Sequence, residues 1–322
     1  MKFLSDYPQK TQEFLPPGSR WQPAGLTDFN KTDHLLWQAL GRGGQVQVCD
    51  VADPAGFVST DPRIVLISHA PESQFMAATR ILRQGISLPD SVFCLALEGK
   101  GFRGQRNRTW EALAGNLHLT VVYQADIPAR NAGAELTMLP AVAAAETTRT
   151  ALEGQVPEGQ VPVTIKWIND ILIDGQKAAG VLTSTQIRGD RITGVVFGVG
   201  INVAQAPCID PTPFAPSATA ISRHAPSRAH QLPDIFRDIA VRIDRYYRNL
   251  QTGGPSTLFG RYRKYTDIVG HRVCIWPENI SDWKKSEPFA SGTVTELKPD
   301  LSLILDHHPE PITKGRLAYE SA

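Results

Sequence analysis

The residues best suited to chemistry lie between Glu98 and Trp110. This stretch carries Gly99, Gly101 and Gly104 among Lys100, Arg103, Arg106 and Arg108. Glycines let a backbone approach a ligand closely, and cations attract negative charge. Apolar runs flank it, Val92 to Leu97 before and Leu117 to Tyr123 after. A glycine-rich basic loop between two strands is a cradle for an anion, with phosphate the first expectation. The stretch also matches Gly-x-Gly-x-x-Gly, the dinucleotide fingerprint, with Asp126 near the acidic position. That pattern needs a helix behind it inside a βαβ unit. Here Gly115 interrupts the short piece before the next strand, leaving no room for a crossover helix.

Two later stretches also place polar groups inside β-rich runs. One runs Ile165-Lys166-Trp167-Ile168-Asn169-Asp170-Ile171, then Gly175 to Leu182; the other is Val195 to Val203, with Gly198, Gly200 and Asn202. Polar groups inside strands are normally paired or functional. Together with the glycine loop these residues resemble the biotin protein ligases, part of the wider biotin/lipoate ligase family. That family shows a Gly-Arg-Gly-Arg-x-Gly-Arg-x-Trp loop, a Gly-x-Asn-Leu strand start and a Lys-Trp-Pro-Asn-Asp segment. A Gly-Lys-x-x-Gly-Ile-Leu hairpin and a Gly-x-Gly-x-Asn segment follow. All five have counterparts here in the same order, from about Glu72 onward.

The resemblance implies an acyl-adenylate-forming ligase. ATP and Mg²⁺ would activate biotin as biotinyl-AMP, and a lysine of a biotinyl or lipoyl carrier domain would accept the acyl group. Lys166 and Arg103 would be catalytic, Lys166 bridging the acyl carbonyl and the α-phosphate. Ser73, Gln74, Gly99, Gly101, Phe102, Gly104, Trp110, Asn116, Gly180 and Val181 would meet the substrate, and Trp110 would also close over the nucleotide. Arg106, Arg108, Asn169, Asp170, Lys177 and Asn202 would meet the nucleotide, Asn202 at the adenine edge. Ser73 and Gln74 equally suit a helix start. No resident metal site is implied.

Three departures stand out. Phe102 replaces an arginine that helps the family retain its adenylate, the loop is longer before Trp110, and Ile168 replaces a proline. Lipoate or octanoate remains an alternative acid, although the chain lacks the Arg-Arg-x-Ser-Gly-Gly-Gly pattern of lipoate ligases. A nicotinamide-dependent oxidoreductase and a catalytically silent binding module are the competing classes.

The elements that must position these residues read as an α/β (α+β) chain. The resemblance implies a mixed sheet flanked by helices, as in class II synthetases, with a small SH3-like C-terminal β-barrel. Pro71 and Glu72 suit the first turn of a helix that runs to Arg83 and ends at Gly85. Ala134 to Leu152 has high helix propensity, with Leu136, Leu139, Ala143 and Thr147 as its core face. Leu232 to Leu250 repeats apolar residues at helical spacing, leaving Arg237, Arg242, Arg245 and Arg248 as a solvated face. Val163 to Ile173 and Lys177 to Gln186 read as strands joined at Asp174-Gly175. Glu153 to Pro162 reads as a loop, and the proline-rich 207–226 as a bridge between elements. Residues 1–60 read as an N-terminal arm or extension, loose to about 30 and then carrying a short helix from Asp33 to Leu40 and a strand from Gln45 to Cys49; 61–252 reads as the catalytic domain and 253–322 as the small β domain.

Composition sets outer bounds. The chain has 322 residues and a net charge of +1, which argues against a nucleic-acid coat or polybasic membrane anchor. Its four cysteines are far apart, so a zinc site or disulfide frame is not expected. No run reaches ~18 apolar residues, and the N-terminus lacks a signal pattern, so the cytoplasm is the expectation. A homodimer is left open.

Overall fold

The computed structural model describes residues 1–25, 31–40, 46–52, 56–86, 88–155, 163–228, 231–254, 256–280 and 283–320. Most of the expected 153–162 loop lies outside them. A ten-stranded sheet forms the body, in the order β2-β3-β1-β4-β5-β6-β10-β9-β8-β7. Its strands are β1 (Lys2–Ser5), β2 (Gln22–Ala24), β3 (Val46–Asp50), β4 (Arg63–Ile67), β5 (Ser91–Ala96), β6 (Leu117–Pro128), β7 (Val163–Lys166), β8 (Asp170–Ile173), β9 (Gln176–Arg188) and β10 (Arg191–Ile201). The β1–β4 and β4–β5 pairs are parallel and the others antiparallel, so the sheet is mixed.

Helices α1 (Pro8–Thr11) and α5 (Ile221–His224) are single turns, and longer helices cover both faces. Helix α4 (Ala129–Leu152) and helix α6 (Leu232–Gln251) pack on one, sharing a core with Leu119, Val121, Phe197 and Val199. Helices α2 (Lys31–Leu40) and α3 (Gln74–Arg83) pack on the other, against Val122, Val196 and Cys94. Leu136, Leu139, Ala143 and Thr147 of α4 are buried as expected.

Three sequence expectations need correction here. The stretch from residue 1 to about 30 is not a loose arm, because β1 and β2 join the main sheet and Leu4 is fully buried, while the helix and strand expected after it appear as Lys31–Leu40 and β3. Asp6 also accepts hydrogen bonds from the Ser68 amide and hydroxyl at the end of β4. Val163 to Ile173 is not one strand but a hairpin, turning through Trp167, Ile168 and Asn169. On α6, Arg242 and Arg248 are not simply solvated. Arg242 joins Asp238 and Glu146, and Arg248 joins Asp90 and Ser59 beside the buried Asp244.

A second, four-stranded antiparallel sheet occupies the C-terminal part: β11 (Arg272–Trp276), β12 (Ala290–Leu297), β13 (Leu303–Leu305) and β14 (Arg316–Tyr319). Helix α7 (Leu258–Tyr265), inside the region read as the small domain, packs on α4 and β7, and the Tyr262 hydroxyl donates to the Ile168 carbonyl. Trp167 Nε1 donates to the Leu301 carbonyl at 2.8 Å, tying the β7–β8 turn to the small sheet.

Candidate functional site

Strand register assembles the floor of the site. Gly198 of β10 pairs with Thr120 of β6 and Leu182 of β9, while Gly200 pairs with His118 and Gly180. Directly paired residues point to the same side of a sheet, so these six share the α3 face. Two glycines on β10 leave this patch of floor low. A Cβ on Gly198 would come within 3.0 Å of the Phe75 ring. One on Gly200 would come within 2.3 Å of the Trp110 indole.

The glycine loop forms the roof. It joins β5 to β6, which are antiparallel, so the βαβ unit required by the dinucleotide reading is absent. The loop folds back as a finger. Gly104 N donates to the Arg108 carbonyl at 2.7 Å, Trp110 N donates to the Phe102 carbonyl at 3.0 Å, and Arg103 bridges Thr109. Gly101 takes a positive φ of 68°, a left-handed turn that suits glycine. Phe102 turns inward, 8% exposed, with its ring edge-on to His118. A Cβ on Gly99 would meet that ring at 2.6 Å.

Between floor and roof lies a cavity of about 340 Å³. Its apolar walls are Phe75, Phe102, Trp110 and Leu182, and its cations are Arg103, Arg108 and Lys177. Lys177 pairs with Asp170 at 2.6 Å and stands 6.0 Å from the Trp110 ring centre. Asn202 is buried at the cavity wall; its Nδ2 donates to the Thr219 carbonyl, leaving Oδ1 without a partner. Ser73 precedes α3 and lines the cavity, and its side chain makes no capping bond. His118 accepts from Trp110 Nε1 at 3.3 Å through Nδ1, so its Nε2–H faces the Leu113 carbonyl. Burial pushes its pKa down to about 4, and it stays neutral.

Lys166 sits next door. It lines a smaller recess of about 30 Å³ with Asn169, Asp170, Arg106, Arg108 and Arg316. Its ammonium donates a hydrogen bond to the Phe214 carbonyl at 2.7 Å. Burial lowers its pKa to about 8, against the pull of Asp170 and with the help of Lys177, Arg108 and Arg316. The 207–218 segment therefore does more than bridge two elements: Pro207, Ile209, Asp210 and Ala215 line the larger cavity.

Of the residues singled out in the sequence, the larger cavity gathers Ser73, Phe102, Arg103, Gly104, Arg108, Trp110, Asn169, Asp170, Lys177, Gly180, Val181 and Asn202. Gln74 is buried behind the wall with Oε1 unpaired. Gly99 and Gly101 shape the loop without lining the cavity. Asn116 brackets the turn after β10, its Oδ1 accepting from the amides of Val203, Ala204 and Gln205. Arg106 turns away to the C-terminal sheet. Sequence reasoning missed Phe75, His118, Thr120 and Phe214. The first three gave no motif, and only strand register or helix placement brings them in. Among the described residues no cluster of three or more acidic, histidine or cysteine side chains could hold a metal.

Comparison with known proteins bears on this geometry. Residues 84–202 match the biotin/lipoate A/B protein ligase family. The biotin–[acetyl-CoA-carboxylase] ligase of Paracoccus denitrificans is 32% identical over 175 residues, 54% of this chain and 70% of that protein. The chain belongs to the biotin/lipoate A/B protein ligase family. The bifunctional ligase/repressor BirA of Bacillus subtilis is 31% identical over 183 residues, 56% of this chain. The matched region spans only about half of that relative, 54%. A biotin protein ligase structure from Aquifex aeolicus in complex with biotin and ATP superposes with a TM-score of 0.56. It covers 80% of this chain and 99% of that one at 16% identity, and so speaks to fold. The expected mixed sheet with a small C-terminal β unit holds.

Proposed function

We propose that this member of the family activates biotin with ATP and transfers it to a lysine of a carrier protein. The observation that carries this reading is the cavity, whose lining combines Ser73 and the apolar Phe75, Phe102, Trp110 and Leu182 with the cations Arg103, Arg108 and Lys177. A ring-bearing acid with an aliphatic tail fits the first, and a nucleotide's phosphates fit the second. Arg103, Arg108 and Lys177 would draw the acid carboxylate and the α-phosphate together against their repulsion. The carboxylate oxygen attacks phosphorus, and pyrophosphate leaves with the bond electrons. The unpaired Asn202 Oδ1 suits the exocyclic amine of adenine. Lys166 would serve the phosphate and the acyl carbonyl once the Phe214 carbonyl releases it. In the second step the acceptor amine attacks that carbonyl and AMP departs.

Mg²⁺ would arrive on the nucleotide. Asp170, the carboxylate beside Lys166 and Lys177, is engaged by Lys177, and Mg²⁺ is commonly held by phosphates and water with few protein ligands. An ATP-consuming reaction on a metabolic carrier protein fits the cytoplasm. Among the described residues no helix is long and apolar enough to cross a membrane. ATP–pyrophosphate exchange with biotin, lipoate and octanoate in turn tests the reading. Exchange that depends on biotin is expected, and exchange driven by lipoate or octanoate alone would move the chain to the other branch of the family.

A further inference from the structure

We propose that Glu278 is a positioning residue for the anion-binding loop, holding it over the cavity through Arg106 before any ligand arrives. Arg106 sits at the tip of the finger in a left-handed conformation, φ 59°, which is uncommon for a side chain of this size. That backbone turn sends its guanidinium across to the C-terminal sheet. There it meets Glu278 Oε1 at 2.6 Å and the Gly315 carbonyl at 3.0 Å. The residues around it in the finger, Gly104, Gln105, Arg108 and Trp110, line the cavity. A fixed tip therefore fixes the roof.

The anchor on the other side is equally constrained. A Cβ on Gly315 would fall 2.4 Å from Ile275 Cγ2 and 3.1 Å from the Trp276 carbonyl. Only glycine lets this segment lie against β11. The next residue, Arg316, has its guanidinium 4.0 Å from the centre of the Phe214 ring. One dipeptide of the small sheet thus holds both covers of the site, the glycine finger and the 207–218 segment.

Charge explains why a carboxylate is needed. Arg106, Arg108, Arg316 and Lys166 all line the smaller recess, against one carboxylate, Asp170, that Lys177 already engages. Burial lowers the Arg316 pKa first, with Arg108 and Arg106 adding to the effect. Without Glu278 the tip cation would face like charge and swing outward. The pair is partly exposed, Glu278 at 46%, so its loss shifts the position of the loop and leaves the fold standing.

The inference rests on the ligase reading only for what the loop holds. Hydrogen exchange on the ligand-free full chain tests it independently. In Glu278→Ala the Gly104 and Trp110 amides should exchange about fivefold faster, the scale of an exposed ion pair, with β11 and β12 unchanged. The doubly swapped Arg106→Glu, Glu278→Arg chain should regain protection. With ATP, KM should rise in Glu278→Ala while kcat changes less. Wild-type exchange rates across residues 99–110 in Glu278→Ala would overturn the proposal. So would equal acceleration throughout the small sheet, which would mark a purely structural role. A wild-type chain without pyrophosphate exchange would sink the ligase reading, while the amide rates would still decide the role of Glu278.

Discussion

Gly200 lies directly beneath Trp110, with no room between them for a methyl group: a Cβ there would sit 2.3 Å from Cζ2 of the indole. This contact sets the indole against the floor of the cavity, where Nε1 donates to His118 Nδ1. Gly200→Ala must push the indole upward and break that hydrogen bond. Overpacking of this kind typically costs about 1–3 kcal/mol. Affinity for ATP, measured by calorimetry, should fall roughly ten- to hundredfold with little change in the far-ultraviolet circular dichroism. Unaltered affinity would show that Trp110 does not close over the nucleotide.

Phe102 raises a different question. From sequence, an arginine at this position would be expected to strengthen the hold on an anionic intermediate. The structure reverses that expectation. Phe102 is packed against neutral His118 and the Gly99 backbone, so a guanidinium there would be buried against an uncharged imidazole. Phe102→Arg should therefore destabilise the loop by about 1–3 kcal/mol and speed adenylate release. Phe102→Leu should do much less. Single-turnover release measurements without acceptor give the test, and slower release from Phe102→Arg would contradict this packing argument.

Much of the site was legible because its motifs are local. Asp174 and Gly175 both take positive φ, as an Asp-Gly hairpin demands, and the helices α3, α4 and α6 follow their apolar spacing. Of the N-terminal strands, the one expected at Gln45 to Cys49 appears as β3 (Val46–Asp50), whereas β1 and β2 were not legible. Lys2 to Ser5 is too short to show a period, and its identity comes from pairing with β3 and β4. His118 and Thr120 look like polar interruptions of an apolar strand until register sets them beside Gly200 and Gly198. The Lys166–Phe214 contact joins residues 48 apart in sequence, and no local pattern announces it.

Lys166 should leave its mark on the pH profile. Its folded pKa, about 8, lies below the ordinary lysine value of 10.5. The protonated form is the one that can stabilise a phosphate, so kcat/KM for ATP should fall as pH rises through about 8. Stability should move the other way. The unfolded chain binds the extra proton between pH 8 and 10.5, so the cost of burying this group, full below about 8, is relieved as pH rises across that window. Lys166→Ala should lose about 10²–10³ in exchange rate and the alkaline limb with it. Retention of that limb in Lys166→Ala would assign it to another group.

Phe214 supplies the last test, because its ring and its carbonyl have separate partners. The carbonyl accepts from Lys166, while the ring lies between Arg316 and Trp276, whose ring centre is 5.2 Å away. Phe214→Ala keeps the carbonyl and removes the clamp. Because the ring is 5% exposed, truncation opens a gap between the 207–218 segment and the small sheet. A buried phenylalanine typically contributes about 3–5 kcal/mol, and less where a loop can collapse. The segment should then open more often and admit water to the acyl-adenylate. Hydrolysis of that intermediate without acceptor should accelerate about tenfold or more, while the first step, read by pyrophosphate exchange, should change less. Equal lifetimes for the intermediate in Phe214→Ala and the parent chain would mean that the ring does not keep the segment closed.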